Sequence, residues 1–285
     1  MSRIWTRQIG AARVAVIGEA TGRWPITAAL ADVPEEAWRP LVETDERDRI
    51  LVSFNLTHVA LRGASILVDT GFGEYARGGV RPPVPVEDIA LAGDLEEALA
   101  ALGVRPEDVT HVLITHSPGD HILGATRTRG GQRAPAFPNA RYYLTAEEWA
   151  FTLPGHPSAE AVALQKAALE AAGVVELVEG EREIAPGVTF LHAPGETPGH
   201  AVVRVADGGE VAYVLGDLFH LPAEFRHLDW APPRRDRQTL RATRQRLLPR
   251  FVAERALLVV AHLPFPGVGH VVPEGETYRW VPLAS

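Results

Sequence analysis

Four segments of the chain place His, Asp or Glu directly after a short apolar run. The first segment combines two imidazoles with a carboxylate within six residues, and the other three add further carboxylates and imidazoles. Imidazole nitrogen and carboxylate oxygen bind zinc and harder ions such as manganese or iron, and the chain contains no Cys. The sequence therefore predicts a metal centre with nitrogen and oxygen ligands. The segments are His116-Ser-Pro-Gly-Asp120-His121, Glu196-Thr-Pro-Gly-His200, Asp217-Leu-Phe-His220 and His262-Leu-Pro-Phe-Pro.

The apolar runs before these segments have the length and the β-branched content of buried strands. Ligand sites in open α/β sheets collect at one edge of the strands, so we expect the four polar ends to converge on one point. Nine runs are predicted as strands: Arg13–Ile17, Ile50–Leu56, Ser65–Val68, His111–Thr115, Ala140–Leu144, Val188–Leu191, Ala201–Val205, Val211–Leu215 and Leu257–Ala261.

Helical stretches alternate with the strands. Asp94–Leu102 begins at an N-cap residue, and Ser158–Ala172 is rich in Ala, Leu and Glu. Thr145 and Glu148 have the spacing of a capping box, and Asp236–Leu248 is predicted to end before Pro249. The mixture predicts a layered α/β protein. With no repeat and no linker to divide the chain, we expect a single domain over residues 1–285.

Composition excludes several classes of function. The absence of Cys excludes disulfides, thiol nucleophiles and iron–sulfur clusters. The net charge of -8 argues against a nucleic-acid partner, and the basic run Arg234–Arg250 is interpreted as a solvated helix face. No apolar run approaches the roughly 18 residues of a membrane span, and Met1–Gln8 lacks the apolar core of a signal peptide. We expect a cytoplasmic protein that acts on a small molecule; the sequence gives no oligomeric state.

Each polar residue also has a structural interpretation. A single His after a strand is more often a hydrogen-bonded core or surface residue than a ligand, and Asp120 or Asp217 would suit the cap of a turn or helix. These interpretations would have to hold at four strand ends at once. The adjacent pair Asp120-His121 is also costly to bury without a partner. The pattern as a whole therefore favours the metal centre.

The same residues resemble the metallo-β-lactamase fold superfamily. Its signature is H-x-H-x-D-H after a strand, then a His in P-G-H-T, an Asp in a G-D turn and a late His. The Leu-Val-Asp69-Thr-Gly turn is similar to another element of that family, and the late segments look most like its lactonase and organophosphate hydrolase branch. The resemblance implies an α/β fold, a four-layer αββα sandwich with the metal site at one edge of the two sheets. The matching segments are Thr115–His121, Ala193–His200, Leu215–Asp217 and Ala261–His262.

The chain departs from that signature at two positions. Pro118 replaces the second His of the first segment, and Glu196 replaces the His of P-G-H-T. The resemblance therefore implies an altered first metal site with His116, with Asp217 as a bridge, and with Glu196 where a ligand is expected. It implies an intact second metal site formed by the residues Asp120, His121, Asp217 and His262.

Three outcomes are compatible with this ligand set. The favoured one is a single zinc ion at the second metal site. The second is a rebuilt pair of ions with Glu196 as an oxygen ligand, for which manganese or iron would also be suitable. The third is a family member that has lost catalysis and binds a ligand.

The corresponding activity is metal-dependent hydrolysis of a small ester, lactone or phosphoester by an activated water. Asp120 or Glu196 would act as general base. Asp69, His200 and His220 are expected to orient the metal ligands rather than to bind the ion themselves.

Overall fold

The computed structural model describes residues 3–283. Met1, Ser2, Ala284 and Ser285, which the expected domain 1–285 includes, lie outside the described residues. The described chain forms two large β-sheets that face each other, with helices on their outer faces, and this arrangement confirms the predicted αββα fold.

The strands are numbered in chain order. They are β1 Arg3–Ile9, β2 Ala12–Pro25, β3 Arg49–Leu61, β4 Ala64–Val68, β5 Glu87–Leu91, β6 His111–Leu113, β7 Thr126–Arg129, β8 Gln132–Pro135, β9 Arg141–Thr145, β10 Val175–Val178, β11 Glu181–Ala185, β12 Val188–His192, β13 Ala201–Asp207, β14 Glu210–Val214, β15 Leu257–Val259, β16 Val268–Glu274 and β17 Thr277–Pro282.

The two sheets take different strands from the chain. The first follows the order β1-β2-β3-β4-β6-β9-β10, with β5 paired to β2. The second runs from β11 to β17 in sequence order, and β7 and β8 form a separate hairpin. All nine strands predicted from apolar runs are present, so that part of the prediction is confirmed.

The α-helices are short except for two. They are α1 Ile26–Ala29, α2 Glu35–Trp38, α3 Glu74–Gly78, α4 Leu95–Ala101, α5 Gly119–Ile122, α6 Ala146–Ala150, α7 Ala159–Ala171 and α8 Arg237–Ala253. Asp94 accepts a hydrogen bond from the amide of Glu97 as the N-cap of α4, as predicted. None of the helices within residues 3–283 combines the length and the apolarity of a membrane span.

The prediction that the last helix ends before Pro249 is wrong. Helix α8 continues through Pro249 to Ala253, although proline cannot donate the hydrogen bond of its turn. Leu247, Leu248 and Phe251 are buried against the second sheet on both sides of the proline. Burial of such side chains contributes about 1.5–3 kcal/mol each, which offsets the roughly 3 kcal/mol that an interior proline costs.

The hydrophobic core has three main layers. Between the sheets lie alternate residues of both, such as Val14 and Val59 from the first and Phe190 and Val203 from the second. A second layer joins the first sheet to α4 and α7, and a third joins the second sheet to α8. These layers hold the strand ends that carry the polar segments.

Candidate functional site

The loops that follow four strands meet at one edge of the two sheets. The loop after β6 carries His116, Asp120 and His121, and those after β12, β14 and β15 carry Glu196, Asp217 and His262. The predicted convergence of the strand ends is confirmed. The loop after β15 is tied to the first sheet by main-chain bonds from Ser53 to His262 and from Asn55 to Ala261. The backbone therefore fixes the late His against the opposite sheet.

Both imidazoles of the second metal site lie close to both of its carboxylates. Nε2 of His121 lies 3.5 Å from Asp120 Oδ2 and 3.3 Å from Asp217 Oδ1. Nε2 of His262 lies 3.4 Å and 3.1 Å from the same two oxygens. Four tetrahedral ligand atoms about 2.1 Å from an ion lie about 3.4 Å apart, which these distances match.

Two buried atoms of this group lack the partners that they need. His121 Nε2 and Asp217 Oδ1 make no hydrogen bond to any described residue, although both are enclosed. Buried polar atoms are almost always satisfied, so these two atoms, which lie 3.3 Å apart, need either a proton on the imidazole or a cation that both can bind. The donor set and its spacing therefore fit a divalent cation.

In the neutral rings of His116, His121 and His262 the hydrogen bond at Nδ1 leaves Nε2 without a proton. The Nδ1–H of His121 donates to Asp69 Oδ2 at 2.8 Å, and that of His262 donates to the carbonyl of Ser53 at 2.9 Å. The hydroxyl of Thr115 donates to Asp69, so it accepts from Nδ1–H of His116 at 3.1 Å. Outer partners that fix the tautomer in this way are typical of metal ligands. Each Nε2 is left as an acceptor that faces the centre.

The carboxylate of Asp69 fixes the positions of Thr115 and the His121 ring. Its carboxylate accepts from the amide and hydroxyl of Thr115 and from the His121 ring. The backbone of Asp69 has φ of 60°, a conformation that Asp and Asn tolerate better than most residues. The geometry agrees with the predicted supporting role, which stays a prediction.

Replacing Asp69 with Asn is expected to lower the affinity for a divalent cation about 10–100-fold, because the ring of His121 loses its charged partner. Titration of the metal-free protein by calorimetry measures this change. The matched control is Asp108→Asn, a carboxylate that pairs with Arg105 on the surface. Equal affinity in both variants would contradict a role of Asp69 in metal binding.

His200 is placed away from the cation position by its own hydrogen bonds. Its Nδ1–H donates to the carbonyl of Ala193 at 3.0 Å, and its Nε2 accepts from the amide of Asp217 at 3.1 Å. Both ring nitrogens are thus engaged, and burial lowers the pKa of His200 to about 4. His200 is a neutral residue that orients Asp217.

The sequence predicts an altered first metal site, and the structure places two further residues, His220 and Arg235, beside the residues of that site. Nε2 of His116 and Nε2 of His220 lie 3.3 and 3.2 Å from Asp217 Oδ2. His220 also forms a group with Glu196 and Asp217 whose ligand atoms lie within 4.8 Å of one another. Sequence reasoning placed His220 behind the ligands, whereas here it faces Asp217. The second addition is Arg235, whose Nε–H donates to Glu196 Oε1.

Glu148 is a residue of the site that sequence reasoning missed. Its carboxylate accepts from the amide of Ser117 at 2.7 Å and from the hydroxyl of Thr197, so it joins the loops that carry His116 and Glu196. The capping-box spacing of Thr145 and Glu148 pointed to this position but not to this role. Thr145 does cap α6, while the Glu148 side chain turns into the protein instead.

The electrostatics of the cluster show an excess of negative charge. Burial acts to lower the pKa of His121, but the carboxylates of Asp217, Asp120 and Asp69 outweigh it and raise that pKa well above the usual range. Burial also acts to lower the pKa of His220, but Asp217 outweighs it and raises that pKa to about 10. Carboxylates that hold protons on their neighbours in this way also attract a cation, and a bound metal would displace those protons.

A further buried carboxyl lies beside the site. Glu19 is fully buried, and its Oε2 accepts from the amide of Phe72 at 2.9 Å. Burial is the main cause that raises its pKa to about 8, with smaller contributions from Asp94 and Asp120. Glu19 is therefore a neutral acid at pH 7.

Replacing Glu19 with Gln is expected to change how stability depends on pH. In the wild type, stability from this group is complete below the unfolded pKa of 4.5 and falls as pH rises to about 8. The loss approaches about 1.4 kcal/mol per pH unit within that window, and the Gln variant lacks it. Denaturant unfolding of both proteins at pH 5 and pH 8 measures the difference. Parallel pH profiles would contradict the assignment.

Two adjoining cavities open next to the cluster. A cavity of about 50 Å³ touches Asp120, Asp217, His262 and Arg235. It shares residues with one of about 330 Å³, which is lined largely by proline and aromatic side chains. The larger cavity has a size typical of small-molecule sites. Its wall includes Trp24, Pro85, Phe151, Pro154, Pro232 and Arg234.

Comparison with known proteins gives a family and a fold. The family model of the metallo-beta-lactamase superfamily matches residues 55–262. An N-acyl homoserine lactonase of Bacillus sp is 28% identical over 171 residues, which cover 60% of this chain and 58% of that protein. A probable metallo-hydrolase of Mycobacterium tuberculosis is 29% identical over 175 residues, 54% of this chain and 53% of that protein. The matches thus span little more than half of these relatives.

Solved structures resemble the chain over its whole length. The dizinc quorum-quenching lactonase AidC, in complex with a product, has a TM-score of 0.83 at 20% identity and covers 100% of this chain and 98% of its own. The hydrolase AbOPH of the beta lactamase superfamily has a TM-score of 0.83 at 22% identity, with coverage of 100% and 99%. At these identities the likeness concerns the fold.

Proposed function

Because the chain belongs to the metallo-beta-lactamase superfamily, we propose that it is a metal-dependent hydrolase of a small ester, lactone or phosphoester. Its cofactor is a single zinc ion at the second metal site, held by Asp120, His121, Asp217 and His262. His116 contributes from the altered first metal site.

One observation carries this proposal. Each imidazole nitrogen of the second metal site lies 3.1–3.5 Å from a carboxylate oxygen of Asp120 and of Asp217, which is close to the spacing of atoms that share one cation. Their outer partners already select the ligating tautomer of both rings. A bound divalent cation supplies Lewis-acid activation there, since it lowers the pKa of a water to about 7 and polarises a carbonyl or phosphoryl oxygen.

Other functions of the site are assigned to its own side chains, namely proton abstraction and the orientation of the ligands. Asp120 is the general base, because its side chain is 13% exposed and borders the small cavity, where water and substrate can reach it. Glu196 is less suited to that role because its Oε1 is held by Arg235. Asp69 and His200 keep His121 and Asp217 in place.

The larger cavity supports a substrate with an apolar part. Proline and aromatic side chains supply most of its wall, and Arg235 lines both this cavity and the small cavity that touches the cluster. The similarity to an N-acyl homoserine lactonase supports a lactone as the bond that is cleaved.

The test is hydrolysis of p-nitrophenyl acetate, an N-acyl homoserine lactone and a phosphotriester by protein before and after treatment with a chelator. We expect turnover of at least one substrate, its loss on chelation and its return when zinc is restored. Asp217→Asn should be inactive, and Asp108→Asn is the matched control with full activity. Turnover that survives complete removal of metal would contradict the proposal.

The altered first metal site favours one alternative, a member of the family that binds a ligand without catalysis. Pro118 and Glu196 remove two imidazoles that the family pattern places there. A well-folded protein that is purified without metal and hydrolyses none of the three substrates would support this alternative.

A further inference from the structure

Arg235 pairs with Glu196, the residue that occupies a ligand position of the first metal site. The side chain of Glu196, which replaces a His of the family pattern, is fully buried and forms an ion pair with Arg235. The other carboxylate oxygen, Oε2, makes no hydrogen bond to a described residue. A carboxylate can be buried at this position because a guanidinium comes with it.

The backbone fixes this ion pair. Gly195 has φ of 130°, and a Cβ at that position would lie 2.3 Å from Cα of Leu240, so only glycine allows α8 to pack this closely. The amide of Asp236 also donates to the carbonyl of Gly195 at 3.2 Å. The start of α8 is thereby held against the turn that carries Glu196, and Arg235, next to Asp236, is directed into the centre.

The guanidinium also faces the other charges of the centre. Burial acts to lower the pKa of Arg235, but Glu196, Asp217 and Asp120 outweigh it and raise that pKa. Arg235 borders the small cavity together with Asp120 and His262. Its side chain is 25% exposed, and among the described residues its Nη groups make no hydrogen bond. The guanidinium thus retains donors on the cavity side.

Arg235 supplies one of the positive charges that offset the three carboxylates Asp120, Asp217 and Glu196. Asp120, Asp217 and Glu196 carry three negative charges. A single divalent cation and the Arg235 guanidinium carry three positive charges. A second divalent cation would share Glu196 with Arg235 and would be repelled by it at short range.

We propose that the guanidinium of Arg235 takes the place of a metal ion at the first metal site: it neutralises Glu196, excludes a divalent cation from that site and presents its Nη donors to the oxygen atoms of the substrate. The inference rests on the proposed single-ion hydrolase. It assigns to Arg235 a charge that a second cation would otherwise supply.

The experiment counts metal ions, so it is independent of activity. Metal-free wild type, Arg235→Gln and Arg234→Gln are titrated with zinc by calorimetry, and the zinc content after dialysis is measured by elemental analysis. Arg234 is the matched control, because it borders the same cavity without an ion pair to Glu196. We expect one zinc ion per chain in the wild type and in Arg234→Gln, and two in Arg235→Gln.

Further variants test whether the charge of Arg235 and the carboxylate of Glu196 set the number of bound ions. Arg235→Lys keeps the charge and should bind one ion. Adding Glu196→Gln to Arg235→Gln should return the count from two to one, because Glu196 is then no longer a ligand. Likewise, Pro118→His with Glu196→His should gain a second ion only when Arg235→Gln is added.

The failure of this inference differs from the failure of the proposed function. Two ions in the wild type would overturn the role of Arg235 even if no variant folds. One ion in both the wild type and a folded Arg235→Gln would also overturn it, while the single-ion hydrolase would stand. A wild type that binds no zinc would overturn both.

Discussion

Replacing His121 or His262 with Ala is expected to lower the affinity for zinc by more than the roughly 100-fold that loss of an outer partner costs. Each variant removes one of four ligands whose spacing matches a tetrahedral ion. His116→Ala should lower the affinity less than about 10-fold, since Nε2 of His116 lies 3.3 Å from Asp217 Oδ2, whereas His121 and His262 approach the other oxygen, Oδ1. Hydrolysis should be lost in the first two variants and reduced in the third.

Calorimetric titration of the three metal-free variants with zinc measures this difference. Circular dichroism and thermal unfolding establish that each variant is folded. An equal loss of affinity in all three would contradict a single ion at the second metal site, because His116 would then contribute as much to zinc binding as His121 and His262.

Replacing Arg244 with Met is expected to destabilise the protein by about 3–5 kcal/mol, the usual cost of breaking a buried ion pair. Arg244 is fully buried, and its guanidinium lies 3.3 Å from Glu224 and donates to the carbonyls of Leu218 and Trp230. Glu224 in turn accepts from the amide of His220. The substitution leaves the carboxylate of Glu224 buried without its cation, next to the loop that carries Asp217.

Denaturant unfolding compares Arg244→Met with Arg241→Met, an exposed arginine on the same helix. The control should change the free energy of unfolding by less than about 0.5 kcal/mol. Similar values for the two variants would show that the buried pair contributes little. Sequence reasoning interpreted Arg234–Arg250 as a solvated helix face.

That interpretation is wrong for two arginines of the run. Arg244 is enclosed by the loop 217–230, and Arg235 forms an ion pair with Glu196. Arg241, by contrast, is exposed as predicted. Charge in a sequence indicates solvent only on average, because a buried arginine is stable once carboxylates and carbonyls from distant segments enclose it. Glu196 and Arg235 are 39 residues apart, so no local spacing reveals their contact.

The fold could be predicted where strands are buried on both faces. Runs such as those within β14 and β15 are apolar throughout, which is typical of central strands in a layered α/β protein. Strands β1 and β11 were not predicted, because β1 reads Arg-Ile-Trp-Thr-Arg-Gln-Ile and β11 reads Glu-Arg-Glu-Ile-Ala, with many exposed charged residues. These strands form through pairing with their neighbours rather than through their own pattern.

The candidate site could be predicted where residue type and spacing carry the chemistry. Asp120, His121, Asp217 and His262 were identified in this way, and the structure brings them together. Glu148 could not be identified, because its contacts with Ser117 and Thr197 join separate loops. The assigned roles of all these residues remain predictions until metal binding is measured.

Elemental analysis of the protein purified without added metal tests the central claim most directly. The tetrahedral spacing of the second metal site and the Glu196–Arg235 ion pair together predict one divalent cation per chain, with zinc as the ion. Two ions per chain, or a folded protein that contains none and takes up none from added zinc, would contradict it.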